Sequence, residues 1–320
     1  MARSTSAPGI AATSSSSPER SDDRVRRRSL ALNLLISLRP SQWTKNLLVF
    51  AGLGFGLRLF EPAAQARAWA AFAVFCALSG VVYLINDVAD RASDRQHPLK
   101  AKRPIASGAL SAPTAIVAAV VIGAAAIATS FALGADFAVV AIAYVALQAA
   151  YSALLKHIVI IDVLTIAIGF VLRAVAGAFA VDVEISNWLL VCTILLALFM
   201  GLAKRRHEIV MLADSATSHR RILGEYSPYL LDQMISVVTA STLVAYVFYT
   251  ISPETEAKFG TRWLGLTIPF PLYGIFRYLY LVHQREGGGS PADLLLTDRP
   301  LLLCVALWAV AVVLIVYRPL

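Results

Sequence analysis

Long apolar segments separated by short polar ones run through most of the chain. A segment of about 20 apolar residues is long enough to cross a bilayer as an α-helix. We count nine such segments, with approximate limits 46–60, 68–88, 112–133, 135–155, 158–180, 186–203, 233–251, 262–282 and 300–317. Strand alternation of the outer-membrane kind is absent. The pattern therefore predicts an all-α polytopic membrane protein with about nine transmembrane helices.

The composition agrees with this prediction and separates the N-terminus from the rest. Hydrophobic residues make up 58% of the chain, charged residues 15%, and the mean hydropathy is +0.70. Residues 1–30 are rich in Ser, Ala and Arg and lack a sustained apolar run, which is typical of a disordered basic tail rather than a signal peptide. We therefore expect a tail at 1–30 and one transmembrane domain at 31–320.

The distribution of basic residues predicts an orientation. If the tail lies inside, about 21 of the 28 Lys and Arg residues fall on the inner side and five on the outer side. This asymmetry favours a cytoplasmic N-terminus and an external C-terminus. The net charge of +8 is spread over alternate loops rather than one folded basic face, so we expect no nucleic-acid partner.

Three carboxylates stand at the predicted inner end of the second segment. In "NDVADRASD", Asp87, Asp90 and Asp94 are spaced i, i+3, i+7, which places them within about 60° on one helix face. Clustered carboxylates repel one another unless a cation joins them, and hard oxygen ligands favour Mg²⁺, with Mn²⁺ as an alternative. Asn86 adds a neutral oxygen beside them. The alternative is a solvated helix end with local pairs to Arg91.

Basic residues follow the carboxylates in "RQHPLKAKRPIASG". Arg95, Lys100 and Arg103 could neutralise the outer oxygens of a metal-bound diphosphate. The "HP" and "RP" steps limit helical continuation, so we expect a loop that closes over a ligand. The alternative for each base is a purely topological role on the inner side of the membrane.

Together, "NDVADRASD" and "HPLKAKRPIASG" resemble the signature of the UbiA superfamily of intramembrane prenyltransferases. Four further segments resemble the branch that transfers phosphoribosyl groups to decaprenyl phosphate: "LRPSQWTKNLLVF", "YSALLKHIVIIDVLTIAIGFVLRAVAG", "GLAKRRHEI" and "GGGSPADLLLTDRPLLL". The resemblance implies a helical bundle around a cavity open to the cytoplasmic side, in a bacterial plasma membrane. It also implies Mg²⁺-dependent transfer from 5-phosphoribosyl 1-diphosphate to a polyprenyl (decaprenyl) phosphate, for cell-wall arabinan precursors.

One departure from the superfamily pattern bears on the substrate. Prenyltransferases of the superfamily carry a second acidic motif after the sixth span, whereas this chain has Lys204, Arg205 and Glu208 there, with Asp214 alone further on. A basic second wall suits a site that holds additional phosphate groups. We therefore favour phosphoribosyl transfer. The alternatives are prenyl transfer to an aromatic or quinone-precursor acceptor, and ion or solute transport.

Other candidates lie at segment ends. The resemblance places Lys45 and Asn46 at the donor's phosphates; for Lys45 the alternative is an interfacial anchor. Tyr151 and Lys156 flank the loop between the fourth and fifth segments.

Two charged residues lie inside the fifth segment. Asp162 is a candidate catalytic residue because an unpaired carboxylate inside an apolar helix is costly; its alternative is a structural pair with Lys156. Arg173, about 16 Å deeper, either lines the cavity, contacts lipid or forms an ion pair. The sequence does not determine the oligomeric state.

Overall fold

The computed structural model describes residues 29–212, 221–284, 294 and 297–317, and this part of the chain is helical, with no strand. The predicted tail falls outside it, apart from its last two residues. Residues 213–220, in the polar stretch that follows Glu208, also lie outside the described residues. The first described helix begins after Ser29, whose Oγ accepts a hydrogen bond from the Leu32 N–H at 3.3 Å.

In chain order the α-helices are α1 (Leu30–Ser37), α2 (Ala51–Phe55), α3 (Pro62–Ala89), α4 (Arg91–Gln96), α5 (Pro104–Ser107), α6 (Ala112–Leu133), α7 (Ala135–Ala153), α8 (Ile161–Ala180), α9 (Asn187–Leu212), α10 (Pro228–Ile251), α11 (Pro253–Phe259), α12 (Pro269–Gln284) and α13 (Arg299–Val316). Seven of them, α3, α6, α7, α8, α9, α10 and α13, are long and apolar enough to cross a membrane. The predicted all-α, multi-spanning architecture is confirmed.

The first and eighth predicted segments are built differently from the other seven. The first consists of a 3₁₀ helix, Pro40–Phe50, that continues into α2. The eighth is divided into a 3₁₀ helix, Trp263–Thr267, and the 16-residue α12. The described structure therefore contains seven uninterrupted candidate spans, and the count of nine stays a prediction.

Short polar residues followed by proline begin several helices. A side-chain oxygen of the N-cap residue accepts the N–H three residues further on in each case, and Pro in the first helical turn loses no hydrogen bond. These N-caps are Ser111, Ser227, Ser252 and Asp298. They explain why the helices begin where the apolar segments do.

Glycines allow the N-terminal 3₁₀ helix to pack closely against α8. A Cβ on Gly177 would lie 1.9 Å from the Val49 carbonyl oxygen, and one on Gly52 would lie 2.7 Å from the Ala178 backbone. Small residues let membrane helices approach backbone to backbone in this way. The contact fixes the 3₁₀ helix on α8.

The spanning helices, with α12 counted between α10 and α13, alternate in direction, so one end of the bundle collects particular segments. It contains the end of α3, the connection from α7 to α8, the end of α9 and the beginning of α13. We call this the polar end because most of the predicted site residues lie on these segments.

Candidate functional site

Two buried carboxylates share basic partners at the polar end. Asp87 and Asp94 are only 3% and 2% exposed. Nη1 of Arg103 donates to Asp87 Oδ1 at 3.0 Å and to Asp94 Oδ2 at 2.7 Å. Nη2 of Arg39 also donates to Asp87 Oδ1. We call these four residues the Asp87–Asp94 cluster. A solvated helix end with pairs to Arg91 does not describe these two carboxylates.

A helix break shapes this cluster. The α3 helix ends at Ala89, Asp90 has φ −86° and ψ 4°, and the short α4 then carries Asp94. Asp87 and Asp94 face inward, whereas Asp90 is exposed. The predicted stripe of three carboxylates on one continuous helix is thus interrupted, and the structure brings together two of the three. Arg103, the N-cap of α5, reaches both.

The other predicted bases of this loop differ in their contacts. Nζ of Lys100 lies 4.0 Å from Asp94 Oδ1, and Nε of Arg95 donates to the Ala106 carbonyl at 3.0 Å. Arg95 therefore ties α4 to α5. Outside this loop, Asn86 in α3 and Lys45 in the first 3₁₀ helix are also predicted site residues, and both are half-buried.

The donor set of the cluster fits a divalent cation in part. Oδ2 of Asp87 and Oδ1 of Asp94 accept no hydrogen bond from the described residues. Such hard oxygens suit Mg²⁺, which completes its shell with water and substrate oxygens. Among the described residues, however, no three His, Cys, Asp or Glu side chains are grouped closely enough to hold a metal. The protein itself offers two carboxylates, with Asp90 apart from them.

A second cluster surrounds Asp162 in the first turn of α8. Asp162 is fully buried. Its Oδ2 accepts from Arg205 Nε at 3.0 Å, and its Oδ1 accepts from the Tyr226 hydroxyl at 2.8 Å. Nη1 of Arg205 in turn donates to Glu208. We call these four residues the Asp162 cluster. It joins α8, α9 and the segment before α10.

Two features hold this cluster in place. The Ile160 N–H donates to the Tyr226 hydroxyl at 2.6 Å, and Ile160 has φ 69°, a region that β-branched residues rarely occupy. Burial raises the pKa of Tyr226 to about 12. The hydroxyl is therefore protonated at neutral pH and available to donate to Asp162.

The remaining predicted residues of this region lie around the Asp162 cluster. Lys204 is exposed, with Nζ 3.9 Å from Glu208 Oε1. Lys156 is half-buried and makes no ion pair with any described residue, so the structural pair predicted between it and Asp162 is absent there. Tyr151 is half-buried in the last turns of α7.

Arg173 lies deeper in the bundle and is 6% exposed. It donates to Asn46 Oδ1 at 2.7 Å, the Gly169 carbonyl at 2.8 Å and the Tyr144 hydroxyl at 2.7 Å. Within the described residues no carboxylate pairs with it, so the predicted ion-pair alternative is not found. Asn46 is fully buried, and its amide nitrogen donates to Cys76 and Ser79.

Arg277 pairs with a carboxylate at the beginning of the next helix. Arg277 forms a two-pronged pair with Asp298 at 3.2 and 2.8 Å, which ties α12 to the beginning of α13. Asp214 and the stretch "GGGSPAD" lie outside the described residues.

Sequence reasoning did not assign Arg39 or Tyr226 to the site. Arg39 lies 48 residues from its partner Asp87. Tyr226 is 64 residues from Asp162. Neither separation follows a helical period. The one available signal was that both lie in polar stretches predicted on the same side of the membrane.

The apolar spanning helices, with buried carboxylates paired to guanidinium groups at one end of the bundle, define a class: a multi-spanning integral membrane protein. The chain belongs to the UbiA prenyltransferase family, which matches residues 47–296. The resemblance seen in its motifs is confirmed.

The chain is similar to several curated proteins over most of its length. It is 33% identical to decaprenyl-phosphate phosphoribosyltransferase of Corynebacterium glutamicum, over 91% of this chain and 88% of that protein. It is 32% identical to the enzyme of the same name from Mycolicibacterium smegmatis, over 88% and 91%. The Mycobacterium tuberculosis enzyme is also 32% identical, over 89% and 94%.

Solved structures share the fold. A UbiA homologue from Archaeoglobus fulgidus, solved with GPP and Mg²⁺, superposes with a TM-score of 0.68 at 19% identity and covers 89% of this chain and 99% of its own. The same homologue with DMAPP and Mg²⁺ gives 0.67 at 19% identity, over 91% and 100%. At this identity the likeness establishes the fold.

Proposed function

We propose that the protein is a Mg²⁺-dependent transferase that moves a 5-phosphoribosyl group from 5-phosphoribosyl 1-diphosphate to a polyprenyl (decaprenyl) phosphate and releases diphosphate. The observation that carries the proposal is the presence of two clusters at one end of the bundle. One contains buried carboxylates that each keep an oxygen without a hydrogen bond from the described residues, and the other contains a buried guanidinium. The similar decaprenyl-phosphate phosphoribosyltransferases support it across nearly the whole chain.

In this proposal the polar end faces the cytoplasm of a bacterial cell, with the C-terminus outside the plasma membrane. The charge asymmetry of the loops supports this orientation. Residues 31–320 form the transferase domain, and residues 1–30 form a basic tail. The product enters cell-wall arabinan precursor synthesis.

The Asp87–Asp94 cluster acts on the donor. Asp87 and Asp94, with Asp90 near them at the helix break, would hold Mg²⁺, and the ion would supply positive charge to the departing diphosphate. Arg39 and Arg103 orient the carboxylates so that their free oxygens face the ligand. When the diphosphate enters, the same guanidinium groups are close enough to exchange a carboxylate contact for a phosphate one.

The acceptor needs positioning more than proton removal. A lipid phosphate is already anionic, so its attack on the anomeric carbon depends on alignment rather than on a strong general base. The basic residues of α9 provide the positive wall for such an anion, and enclosure in the bundle limits hydrolysis of the donor. Lys45, Asn86, Tyr151 and Lys156 are further candidates for substrate contacts.

The direct test uses the purified full-length chain in lipid nanodiscs. Labelled 5-phosphoribosyl 1-diphosphate and decaprenyl phosphate should yield lipid-linked phosphoribose with Mg²⁺ and none with excess chelator. A product from prenyl diphosphate and an aromatic acid instead, with no lipid-linked phosphoribose, would reject the proposal in favour of prenyl transfer.

A further inference from the structure

Both carboxylate oxygens of Asp162 accept a hydrogen bond. Tyr226 donates to Oδ1 and Arg205 to Oδ2, and the side chain is fully buried. Each oxygen keeps a second lone pair, but burial and these two donors leave Asp162 little access to a substrate proton or a metal. Its geometry suits a different task, which is to hold its two donors in fixed positions.

Arg205 keeps one nitrogen, Nη2, for a further hydrogen bond. Its Nε is bound to Asp162 and its Nη1 to Glu208. Its Nη2 donates to no residue that the structure describes. Because guanidinium is planar and rigid, fixing two nitrogens also fixes the direction of the third. With only 3% of its side chain exposed, Arg205 presents one directed donor from a buried position.

Tyr226 completes this arrangement from the other side. Its hydroxyl accepts a hydrogen bond from the Ile160 N–H and donates one to Asp162. Ile160 has a positive φ, and a non-glycine residue keeps such a conformation only where its surroundings impose it. The tyrosine hydroxyl is one of those surroundings. It therefore determines how α8 begins and where Asp162 lies.

We propose that Tyr226 is a positioning residue that acts through Asp162 to aim Nη2 of Arg205 at a phosphate monoester of the substrate. This proposal rests on the proposed function and deepens it. Two groups share the required chemistry: the 5-phosphate of the donor and the phosphate of the lipid acceptor. Each is a compact dianion that a directed guanidinium donor recognises.

The test compares Tyr226→Phe with Tyr278→Phe. Tyr278 lies in the same buried cluster, and its hydroxyl has no partner among the described residues, so its variant removes a buried hydroxyl without touching the network. The KM values for donor and for lipid acceptor are measured separately in nanodiscs. Tyr226→Phe should raise one of them about 10-fold with kcat changed less than about 2-fold, because a charge-assisted hydrogen bond is lost. The KM that rises identifies the phosphate. Tyr278→Phe should change neither.

Unchanged KM values in Tyr226→Phe would overturn the proposal, whether or not kcat falls. If Tyr226→Phe is not recovered folded, Arg205→Lys carries the test. The lysine keeps the charge but loses the planar, multiply donating guanidinium, and it should raise one of the two KM values. An unchanged KM in that variant would also overturn the proposal.

A binding measurement separates this inference from the proposed function. Ribose 5-phosphate and geranyl phosphate serve as probes in titrations of the full chain. Weaker binding of either probe to Tyr226→Phe than to Tyr278→Phe supports the positioning role even if no phosphoribosyl transfer is seen. Transfer with identical probe binding in both variants would reject the positioning role and leave the proposed function standing.

Discussion

The two clusters at the polar end use the same residue types in opposite ways. In the Asp87–Asp94 cluster the carboxylates are buried, but the side chains of Arg39 and Arg103 remain 27% and 29% exposed. In the Asp162 cluster the carboxylate and Arg205 are both almost completely enclosed. An exposed guanidinium can exchange partners at little cost, whereas a buried one depends on those it has. The guanidinium groups of the first cluster can therefore exchange partners more readily than Arg205 in the second.

The largest expected effect on activity comes from neutralising a carboxylate of the first cluster. Asp87→Asn or Asp94→Asn should lower activity about 10²–10³-fold, because charge stabilisation of the leaving group is lost. Folding should change little, since Arg39 and Arg103 remain hydrated. Initial rates of lipid-linked product formation measure the effect. Asp136→Asn, the same change on an exposed residue at the other end of the bundle, is the matched control and should stay within about 2-fold of the parent. Near-parental rates in both site variants would contradict the role of this cluster.

A stability measurement tests the other half of the comparison. Asp162→Asn should reduce the free energy of unfolding by about 3 kcal/mol, because the buried Arg205 loses part of its counter-charge. Asp87→Asn should cost less than about 1 kcal/mol. Denaturant titration in mixed micelles, followed by tryptophan fluorescence, gives both values. Equal losses would mean that the two clusters do not differ in the proposed way.

A smaller effect sharpens the description of the first cluster. Arg103 bridges two carboxylates through one nitrogen, whereas Arg39 binds one and stacks over the Tyr83 ring at 4.5 Å. Arg103→Lys should therefore raise the KM for the donor about 10-fold, and Arg39→Lys only about 2- to 3-fold. Steady-state kinetics at saturating acceptor compares them. The reverse order would show that the bridge is not what orients the carboxylates.

The sequence predicted the spans and those residues of the Asp87–Asp94 cluster that lie close together in the chain. Seven apolar segments coincide with helices because length and hydropathy alone decide whether a segment can cross a membrane. Asp87, Asp94 and Arg103 were predicted together because they lie within one short stretch.

The rest depends on tertiary contacts that no period in the chain encodes. The contacts of Arg39 with Asp87 and of Tyr226 with Asp162 join segments far apart in the chain. The break at Asp90 was also not predicted, because the spacing of the aspartates fits an unbroken helix. The roles of the individual site residues remain predictions that the variants above address.

One helix contributes to the placement of both clusters at the polar end. The α8 helix carries Asp162 in its first turn, and near its other end Gly177 meets the backbone of the 3₁₀ helix that follows Arg39. The same helix thus connects Asp162 with the 3₁₀ helix that follows Arg39, independently of the loops. Insertions that lengthen the loops should leave the spacing of the two clusters intact, whereas any side chain at residue 177 should shift the 3₁₀ helix, and Arg39 with it, relative to α8.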